Sequence, residues 1–373
     1  MPSARIQRFV FAVENNAGNA VYGQNLVRAI AGRSDVEVEL LPIALIADDI
    51  WGRIPLFRSF YALGASARTA TALYPQARRK QLDGMLIHSQ SIALFSLELM
   101  RRIPTAISSD GTPLGLDRMA AGYYQPTYAP AFERMKHAWT KAAIRAAHTL
   151  IGWSRWVVDS YVNDYGADPA RTAVIPPGVD TALWRPDPSR RPRDGKLRIL
   201  FNGRDYARKG GDRILRWAAQ TRWKHCEVHM VTTPEAPTAP NVIVHGHLRA
   251  NSPELVALAQ SCDIFALPTR GDCFSMAGLE AAATGMPLVI SDVGGISDII
   301  EEGKNGYLVP ADDDAAFFER LDHLVTHETL RETLGQAARR TVEALFDAET
   351  NAKAVLRRMG LLDRETGHAP VVG

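Results

Sequence analysis

The chain has 373 residues, of which 46% are hydrophobic and 23% are charged. This length corresponds to two domains of ~100–200 residues each, and the composition is that of a globular protein, which excludes a disordered or fibrous chain. The formal net charge of +2 supplies no overall positive field, so no nucleic-acid partner is expected.

Strand-length apolar runs alternate with helical stretches along most of the chain. The first series comprises Phe9–Val13, Val36–Pro42, Gly84–His88, Thr105–Ser108, Thr149–Gly152 and Thr172–Ile175. The second series comprises Leu197–Asn202, Val228–Thr232, Val242–Val244, Ile264–Leu267, Pro287–Ile290 and Tyr307–Val309. This alternation predicts parallel sheets with helices on both faces. Two series predict two doubly wound α/β domains.

A proline-rich break between residues 175 and 195 separates the two series and is typical of a semi-rigid linker. We predict one domain over residues 1–180 and a second over residues 181–349. The pattern is purely helical from Asp312 onward, and we expect residues 350–373 to pack back onto the first domain.

Two basic segments lie in the first domain. Residues 51–80 contain six basic residues, several aromatic residues and no acidic residue, and residues 130–148 form a basic amphipathic helix. Either segment can contact an anionic lipid or acceptor. The alternative, which we favour, is a solvated surface whose apolar side chains pack inward.

Three cysteines, Cys226, Cys262 and Cys273, occur without a C-x-x-C pair. So sparse a set excludes a disulfide framework or a cysteine zinc site and indicates a reducing compartment. The amino-terminal apolar run is too short for a secretory signal, and no stretch approaches the ~18 apolar residues of a membrane span. We therefore expect a cytoplasmic protein, with peripheral attachment to the inner membrane face left open.

The densest chemical signal follows the strand that ends at Leu267. There the chain turns and a helix is predicted to open near Ser275, a junction that directs free N–H groups at an anion. Asp272 and Glu280 bracket this entrance, and Glu280, about one and a half turns inside, can reach a ligand's polar end. The alternative is an ordinary loop of a doubly wound sheet.

A second signal follows the strand Leu197–Asn202. This strand delivers Arg204 and Lys209 to the carboxyl edge of the sheet, where such folds bind ligands. Two cations at that edge suit a diphosphate. The alternative is a pair of solvated basic side chains.

Taken together, these residues resemble the retaining nucleotide-sugar glycosyltransferases of family 4. The matching motifs are Gly203-Arg204…Lys209-Gly210, Val244-His-Gly246-His-Leu, Asp272…Glu280, Glu280-Ala-x-x-x-Gly285-x-Pro287, Gly294-Gly295 and Gly303-x-x-Gly306. The resemblance covers about residues 85–345 and is strongest in the second domain. It implies a GT-B fold, in which two Rossmann-like domains, one for the acceptor and one for the donor, face a cleft.

The resemblance also implies roles for individual residues. Arg204 and Lys209 would bind the donor diphosphate, Asp272 would contact the transferred sugar, and Glu280 would bind the ribose. The donor-binding positions that it implies are Gly18, Gly203, Gly246, Phe274, Ser275, Met276, Ala277 and Glu280.

Three positions depart from the family pattern. The family usually has Glu at the position of Asp272, a glycine commonly stands where Ser275 is, and many relatives have a histidine near Asp110. An ionised aspartate cannot donate a hydrogen bond, so we expect Asp110, the fourth catalytic candidate, to contact acceptor hydroxyls or to tune the site. Thr112 and His88 are weaker acceptor-side candidates, and a strand-end histidine is more often structural.

The implied reaction is front-face substitution with retention, in which the leaving phosphate accepts the proton of the acceptor. The nucleoside-diphosphate sugar is then a co-substrate, the acceptor is a sugar, a lipid-linked molecule or a small molecule, and no cofactor or metal is obligatory. Asp312-Asp-Asp314 has the spelling of a metal motif, but its position predicts a helix cap. Two alternatives stay open: a nucleotide-sugar epimerase or hydrolase on the same scaffold, and a catalytically inactive binding protein.

Overall fold

A computed structural model describes residues 6–15, 17–79, 81–119, 129–190, 194–223 and 225–362. The described residues divide into two compact units. The first takes those of Met1–Gly115, Pro126–Gly178 and Glu349–Gly373, and the second takes those of Leu116–Gln125 and Val179–Ala348.

In its described part, the first unit contains a six-stranded parallel sheet in the order β2-β1-β3-β4-β5-β6. The strands are β1 (Gln7–Glu14), β2 (Val36–Ile43), β3 (Gly84–His88), β4 (Thr105–Ser109), β5 (Thr149–Gly152) and β6 (Thr172–Val174). The helices up to this strand are α1 (Ala17–Arg28), α2 (Ile50–Arg53), α3 (Pro55–Ser59), α4 (Tyr61–Arg79), α5 (Leu97–Arg102), α6 (Pro113–Arg118), α7 (Pro130–Ala146) and α8 (Arg155–Asn163).

The second unit repeats this plan, with six described parallel strands in the order β12-β11-β10-β7-β8-β9. They are β7 (Leu197–Asn202), β8 (Cys226–Val231), β9 (Val242–Val244), β10 (Ile264–Leu267), β11 (Leu288–Asp292) and β12 (Gly306–Pro310). The remaining helices are α9 (Gly211–Ala218), α10 (Pro253–Gln260), α11 (Met276–Ala283), α12 (Asp314–Thr326), α13 (Glu328–Leu345) and α14 (Ala348–Arg358).

The central strands are continuous apolar runs because helices cover both faces of each sheet. Every residue of β3 and of β10 is buried. The strand order reverses beside β1 in the first sheet and beside β7 in the second. Connections therefore leave in opposite directions at these two points, which opens a crevice at the carboxyl edge where α/β sheets bind ligands.

The last described helix, α14, is hydrogen-bonded to β5 and to the turn before β6. The Arg358 guanidinium donates to the Thr149 hydroxyl at 3.0 Å and to the Ala170 carbonyl at 2.9 Å. All twelve predicted strands are confirmed, with ends that shift by at most two residues. The predicted fold class, α/β with two doubly wound parallel sheets, is also confirmed. Among the described residues, no helix combines the length and the apolar character needed to span a membrane.

Candidate active site

The predicted donor residues gather where the order of the second sheet reverses, at the carboxyl ends of β7 and β10. Gly203, Arg204 and Lys209 follow β7, and Asp272 follows β10. Because β7 and β10 are hydrogen-bonded neighbours, the loops after these strands lie side by side.

An ion pair joins the two loops. The Lys209 ammonium donates to Oδ2 of Asp272, and the two side chains keep only 14% and 9% of their surface exposed. Glycine at residue 203 leaves room for the Lys209 side chain, because a Cβ at Gly203 would lie 2.6 Å from Cβ of Lys209. The sequence analysis gave Lys209 and Asp272 separate roles and did not predict that they pair.

The loop after β7 is held close to the loop after β10. Gly210 has a φ of +79°, and a Cβ at this residue would meet the Pro268 carbonyl oxygen at 2.0 Å. The buried Arg213 donates to the same carbonyl at 3.1 Å. A residue with a side chain therefore cannot replace Gly210 without moving the loop.

Other arginines of these loops are occupied in holding them together. Arg270 donates to both carboxylate oxygens of Asp212, at 2.7 and 2.8 Å, and Arg208 donates to the Gly271 carbonyl at 2.7 Å. Arg204 differs, because its side chain is exposed and makes no hydrogen bond or ion pair with any described residue. Arg204 is therefore available to an anionic ligand.

Helix α11 opens at this edge, as predicted. Ser275 is the N-cap residue, and its hydroxyl accepts from the Gly278 N–H at 3.1 Å. The N–H groups of Met276 and Ala277 lie in the first turn, where no intrahelical acceptor exists. The serine that departs from the family pattern thus caps the helix, and two donors remain for an anion.

Glu280 lies one turn inside α11 and has no hydrogen-bond or ion-pair partner among the described residues. Burial raises the pKa of its carboxyl group to about 8. A carboxyl group held in this state lacks the donors that would stabilise its charge, and two sugar hydroxyls can supply them.

The remaining donor-site predictions fall in neighbouring turns. A Cβ at Gly294, whose φ is +57°, would lie 2.2 Å from the Asp272 carbonyl oxygen, so the turn after β11 packs directly on Asp272. Phe274 is buried, and its ring lies 6.2 Å from that of Phe346. Gly246 brings the loop after β9 against Pro234, with a Cβ distance of 2.6 Å.

In the first unit, a buried glutamate that the sequence analysis missed stands at the carboxyl end of β1. Glu14 accepts hydrogen bonds from the Ser89 hydroxyl at 2.9 Å and from the Asn19 amide at 3.3 Å. Burial, and after it the charge of Asp110, raises the pKa of Glu14 to about 7. The signal that could have found it is an acidic residue at the end of a strand that is otherwise buried.

Asp110 and Gly18 accompany Glu14 at the same edge of the first sheet. Asp110 directly follows β4 and is partly buried, and Gly18 is the second residue of α1, the helix that follows β1. Their functional roles stay predictions.

The two weaker acceptor candidates are buried. Nδ1 of His88 donates to the Ser108 carbonyl at 2.7 Å, its ring stacks on Trp153, and burial lowers its pKa to about 4. The Thr112 hydroxyl lies 2.6 Å from the Ser160 hydroxyl and accepts from the Gly115 N–H. Burial of both side chains counts against direct contact with an acceptor, and neither assignment goes beyond a prediction.

Aromatic side chains of the basic segment, residues 51–80, pack on other rings, whereas contact of this segment with a lipid stays a prediction. The ring of Trp51, for example, packs on that of Phe57 at 5.8 Å. Three large side chains of the segment are exposed, Ile54, Leu56 and Tyr61, and so are Ile46 and Ile50, which precede it.

The aspartate triplet after β12 caps a helix, as predicted. The Asp313 carboxylate accepts from the Ala316 N–H at 2.8 Å, and α12 begins at Asp314.

Comparisons with known proteins match both units. Residues 196–327 match the family model described as Glycosyl transferases group 1, and residues 21–183 match the model described as Glycosyltransferase Family 4. The glycogen synthase of Mycobacterium tuberculosis is 29% identical over 245 residues, which cover 63% of this chain. The alignment spans 59% of the length of that relative.

Solved structures share the fold over nearly the whole chain. The sucrose-phosphate synthase of Thermosynechococcus elongatus has a TM-score of 0.77 at 17% identity, with 94% of this chain and 98% of that chain covered. HepE of Anabaena in complex with UDP and glucose has a TM-score of 0.71 at 16% identity, with 95% and 100% covered. These likenesses confirm the predicted GT-B fold.

Proposed function

Because the chain belongs to the family 4 glycosyltransferases, we propose that it transfers a sugar from a nucleoside-diphosphate sugar to a hydroxyl acceptor, with retention of the anomeric configuration. The observation that carries this proposal is the cluster at the carboxyl ends of β7 and β10. There Lys209, Arg204 and the first turn of α11 face the same edge as Glu280, and the side chains of Arg204 and Glu280 have no partner in the part of the chain that the structure describes.

The cations of this cluster act on the leaving group. When the bond between the anomeric carbon and the phosphate oxygen breaks, negative charge grows on the diphosphate. Arg204, Lys209 and the N–H groups of Met276 and Ala277 stabilise that charge, and they do so more strongly in the transition state than in the bound donor. Because these groups supply the positive charge, we propose that no metal or other cofactor is required.

Asp272 links the cations to the sugar. In the ion pair it holds Lys209 in place, and its remaining carboxylate oxygen is free to accept hydrogen bonds from sugar hydroxyls. Glu280 binds the ribose hydroxyls, which donate to its carboxylate. Asp272 and Glu280 therefore orient the two ends of the donor.

The substitution takes place on one face of the sugar. The acceptor oxygen forms the new bond to the anomeric carbon on the face from which the phosphate departs, and the acceptor proton moves to the departing phosphate oxygen. No protein base is needed, and His88 is unsuited to that role because it is buried and its pKa is lowered to about 4. We propose that Asp110 contacts hydroxyl groups of the acceptor.

Exposed apolar side chains support a peripheral lipid contact in the first unit. Ile54 and Leu56 are 37% and 54% exposed, and they lie in the basic segment 51–80 that the sequence marked for such contact. Serine at both positions should lower cosedimentation with vesicles of phosphatidylcholine and phosphatidylglycerol. The control is Ile243→Ser, at an exposed isoleucine of the second unit. Equal cosedimentation of the unmodified chain, the double serine variant and the control contradicts the proposed lipid contact.

Turnover assays test the proposed reaction. We expect the full chain to release nucleoside diphosphate from one sugar donor in a panel, faster when the correct acceptor from an acceptor panel is added. Asp272→Asn should abolish release, and the NMR coupling of the product's anomeric proton should show the configuration of the donor. Release that never depends on an acceptor indicates a hydrolase, and an inverted product contradicts the retaining assignment.

A further inference from the structure

A second, basic pocket lies in the first unit, at the amino edge of its sheet. It has a volume of about 750 Å³, within the range of ~300–1,000 Å³ that small-molecule sites occupy. Its described lining residues are Arg101, Ala138, Lys141, Ala142, Arg145, Ala146, Ala147, His148 and Arg171. We refer to it as the amino-edge pocket.

The position of this pocket separates it from the predicted acceptor residues. His148 immediately precedes β5, and its backbone N–H donates to Thr105, the first residue of β4, at 2.8 Å. Asp110 and Glu14 lie at the carboxyl ends of strands of the same sheet, the opposite edge. The amino-edge pocket is therefore a different site.

The charged side chains that line the amino-edge pocket are all basic among the described residues. Arg101, Lys141 and Arg145 line it, and no acidic residue does so among the described residues. None of these three side chains forms an ion pair or hydrogen bond with a described residue. On the same two helices, two cations outside the pocket are paired, Arg102 with Glu98 at 2.7 Å and Lys136 with Glu133 at 2.6 Å, whereas the exposed Arg134 has no ion-pair partner among the described residues.

Arg101 and Arg145 lie in the last turns of α5 and α7, where a cation favours the helix dipole, but a structural role does not explain why Lys141 stands beside Arg145. Lys141 and Arg145 are four residues apart on α7, a spacing at which like charges destabilise a helix. The carbonyl groups at the end of α7 already have a donor, because Arg171 binds the carbonyls of Ile144, at 3.3 Å, and Ala147. Like-charged side chains around one concavity are stabilised by an anion of higher valence placed between them.

The floor of the amino-edge pocket fits such an anion. Ala138, Ala142 and Ala146 recur every four residues on α7, so the helix presents a low surface beneath the cations. We propose that the amino-edge pocket binds a phosphate-bearing anion, independently of the proposed donor site. A soluble phosphate ester and a lipid phosphate headgroup share this chemistry.

Pyrophosphate titration of the full chain tests the proposal. Because pyrophosphate should also bind Arg204 and Lys209, the titration uses a background with Arg204→Ala, Lys209→Met and Asp272→Asn, in which the buried pair is neutralised on both sides and neither charge loses its partner. We expect one remaining site, measured by calorimetry at fixed ionic strength. Lys141→Gln and Arg145→Gln should each raise its Kd about tenfold, since a charge-assisted hydrogen bond is worth about one tenfold step.

Arg134→Gln is the matched control, since Arg134 is an exposed cation of α7, seven residues before Lys141, that does not line the pocket. The Kd of pyrophosphate for the Arg134→Gln protein should stay within about twofold of its Kd for the background protein. Absence of binding in the background, or equal Kd values for pocket and control variants, overturns the proposal.

A second readout separates ligand binding from a structural role. Without added anion, Lys141→Gln should leave the melting temperature unchanged or raise it, because a like-charge contact is removed. A lowered melting temperature would show that the cation supports the fold and would contradict the assignment.

The source of the phosphate is resolved with vesicles. Cosedimentation with vesicles of phosphatidylcholine and phosphatidylglycerol that is lost in the Lys141→Gln and Arg145→Gln variants identifies a lipid headgroup. Pyrophosphate binding together with vesicle behaviour that these variants do not change identifies a soluble phosphate ester.

Discussion

The Lys209 ammonium and the Asp272 carboxylate depend on each other for their positions. Both are largely buried, and a buried charge that loses its partner is strongly destabilising. The pair therefore keeps a cation at the proposed diphosphate position before any ligand arrives. Preorganisation of this kind lowers the cost of stabilising charge that develops during the reaction.

Glu280 predicts a pH dependence of stability. Its pKa is raised from 4.5 to about 8 by burial, so between these values the folded chain holds a proton that the unfolded chain has released. The free energy of unfolding should therefore fall as the pH rises from about 4.5 to 8. Glu280→Gln, which is neutral in both states, should reduce this decline in urea unfolding measured at several pH values.

Glu328→Gln is the control for this experiment, since Glu328 is an exposed glutamate of the same unit. The free energy of unfolding of Glu328→Gln should fall with rising pH as much as that of the unmodified chain. Identical declines for Glu280→Gln and the unmodified chain would show that the carboxyl group is not held protonated by the fold.

At the scale of elements, two loops and one helix start build the proposed donor site. The loop after β7 contacts the loop after β10 through Gly210 and through two arginines, Arg213 and Arg208. Some basic residues of these loops therefore hold the loops together, and others, such as Arg204, are left for the proposed ligand contact.

Gly210→Ala tests this close contact. Both Gly210 and Gly303 have positive φ angles, but a Cβ would clash with a carbonyl oxygen at 2.0 Å only at Gly210, whereas Gly303 faces open space. Gly210→Ala should therefore destabilise the chain more than Gly303→Ala, whose cost is limited to ~1–2 kcal/mol of backbone strain. Equal losses in chemical unfolding would show that the loops do not touch as described.

Ser275 offers a comparison of helix caps at the start of α11. Its hydroxyl caps the Gly278 N–H, so Ser275→Ala should cost about 0.5–2 kcal/mol of stability, whereas Ser275→Gly, which restores the commoner family residue, should cost only a few tenths. Urea unfolding of both variants measures the difference. Equal stability of the alanine and glycine variants would contradict a capping role.

At the scale of the whole molecule, the sequence was sufficient for the architecture. Apolar runs bounded by turns predicted each strand, because strands buried on both faces carry continuous hydrophobic residues. The sequence motif identified Gly203 and Gly210 without explaining them. The structure supplies the reason, because Lys209 lies close to Gly203 and the Pro268 carbonyl lies close to Gly210.

The contacts between distant side chains could not be predicted in this way. Lys209 and Asp272 are 63 residues apart, and a sequence pattern does not state which of several cations will pair with a carboxylate. Arg208 and Arg270 have the same charge as Arg204, and only the fold shows that they hold loops. Glu14 was missed because the burial of its carboxyl group depends on Ser89 and Asn19, which come from other elements.

The central claim is that the second unit binds a nucleoside diphosphate through Lys209 and Glu280. Calorimetric titration of the full chain with UDP, GDP, ADP and TDP tests it most directly, with Lys209→Ala and Glu280→Ala as variants. Lys304→Ala, at an exposed lysine paired with Glu301 in the same unit, is the control. We predict that one diphosphate binds the unmodified chain and the control equally, and that both site variants lose about tenfold or more in affinity. Binding of none of the four, or unchanged binding by both site variants, would contradict the account.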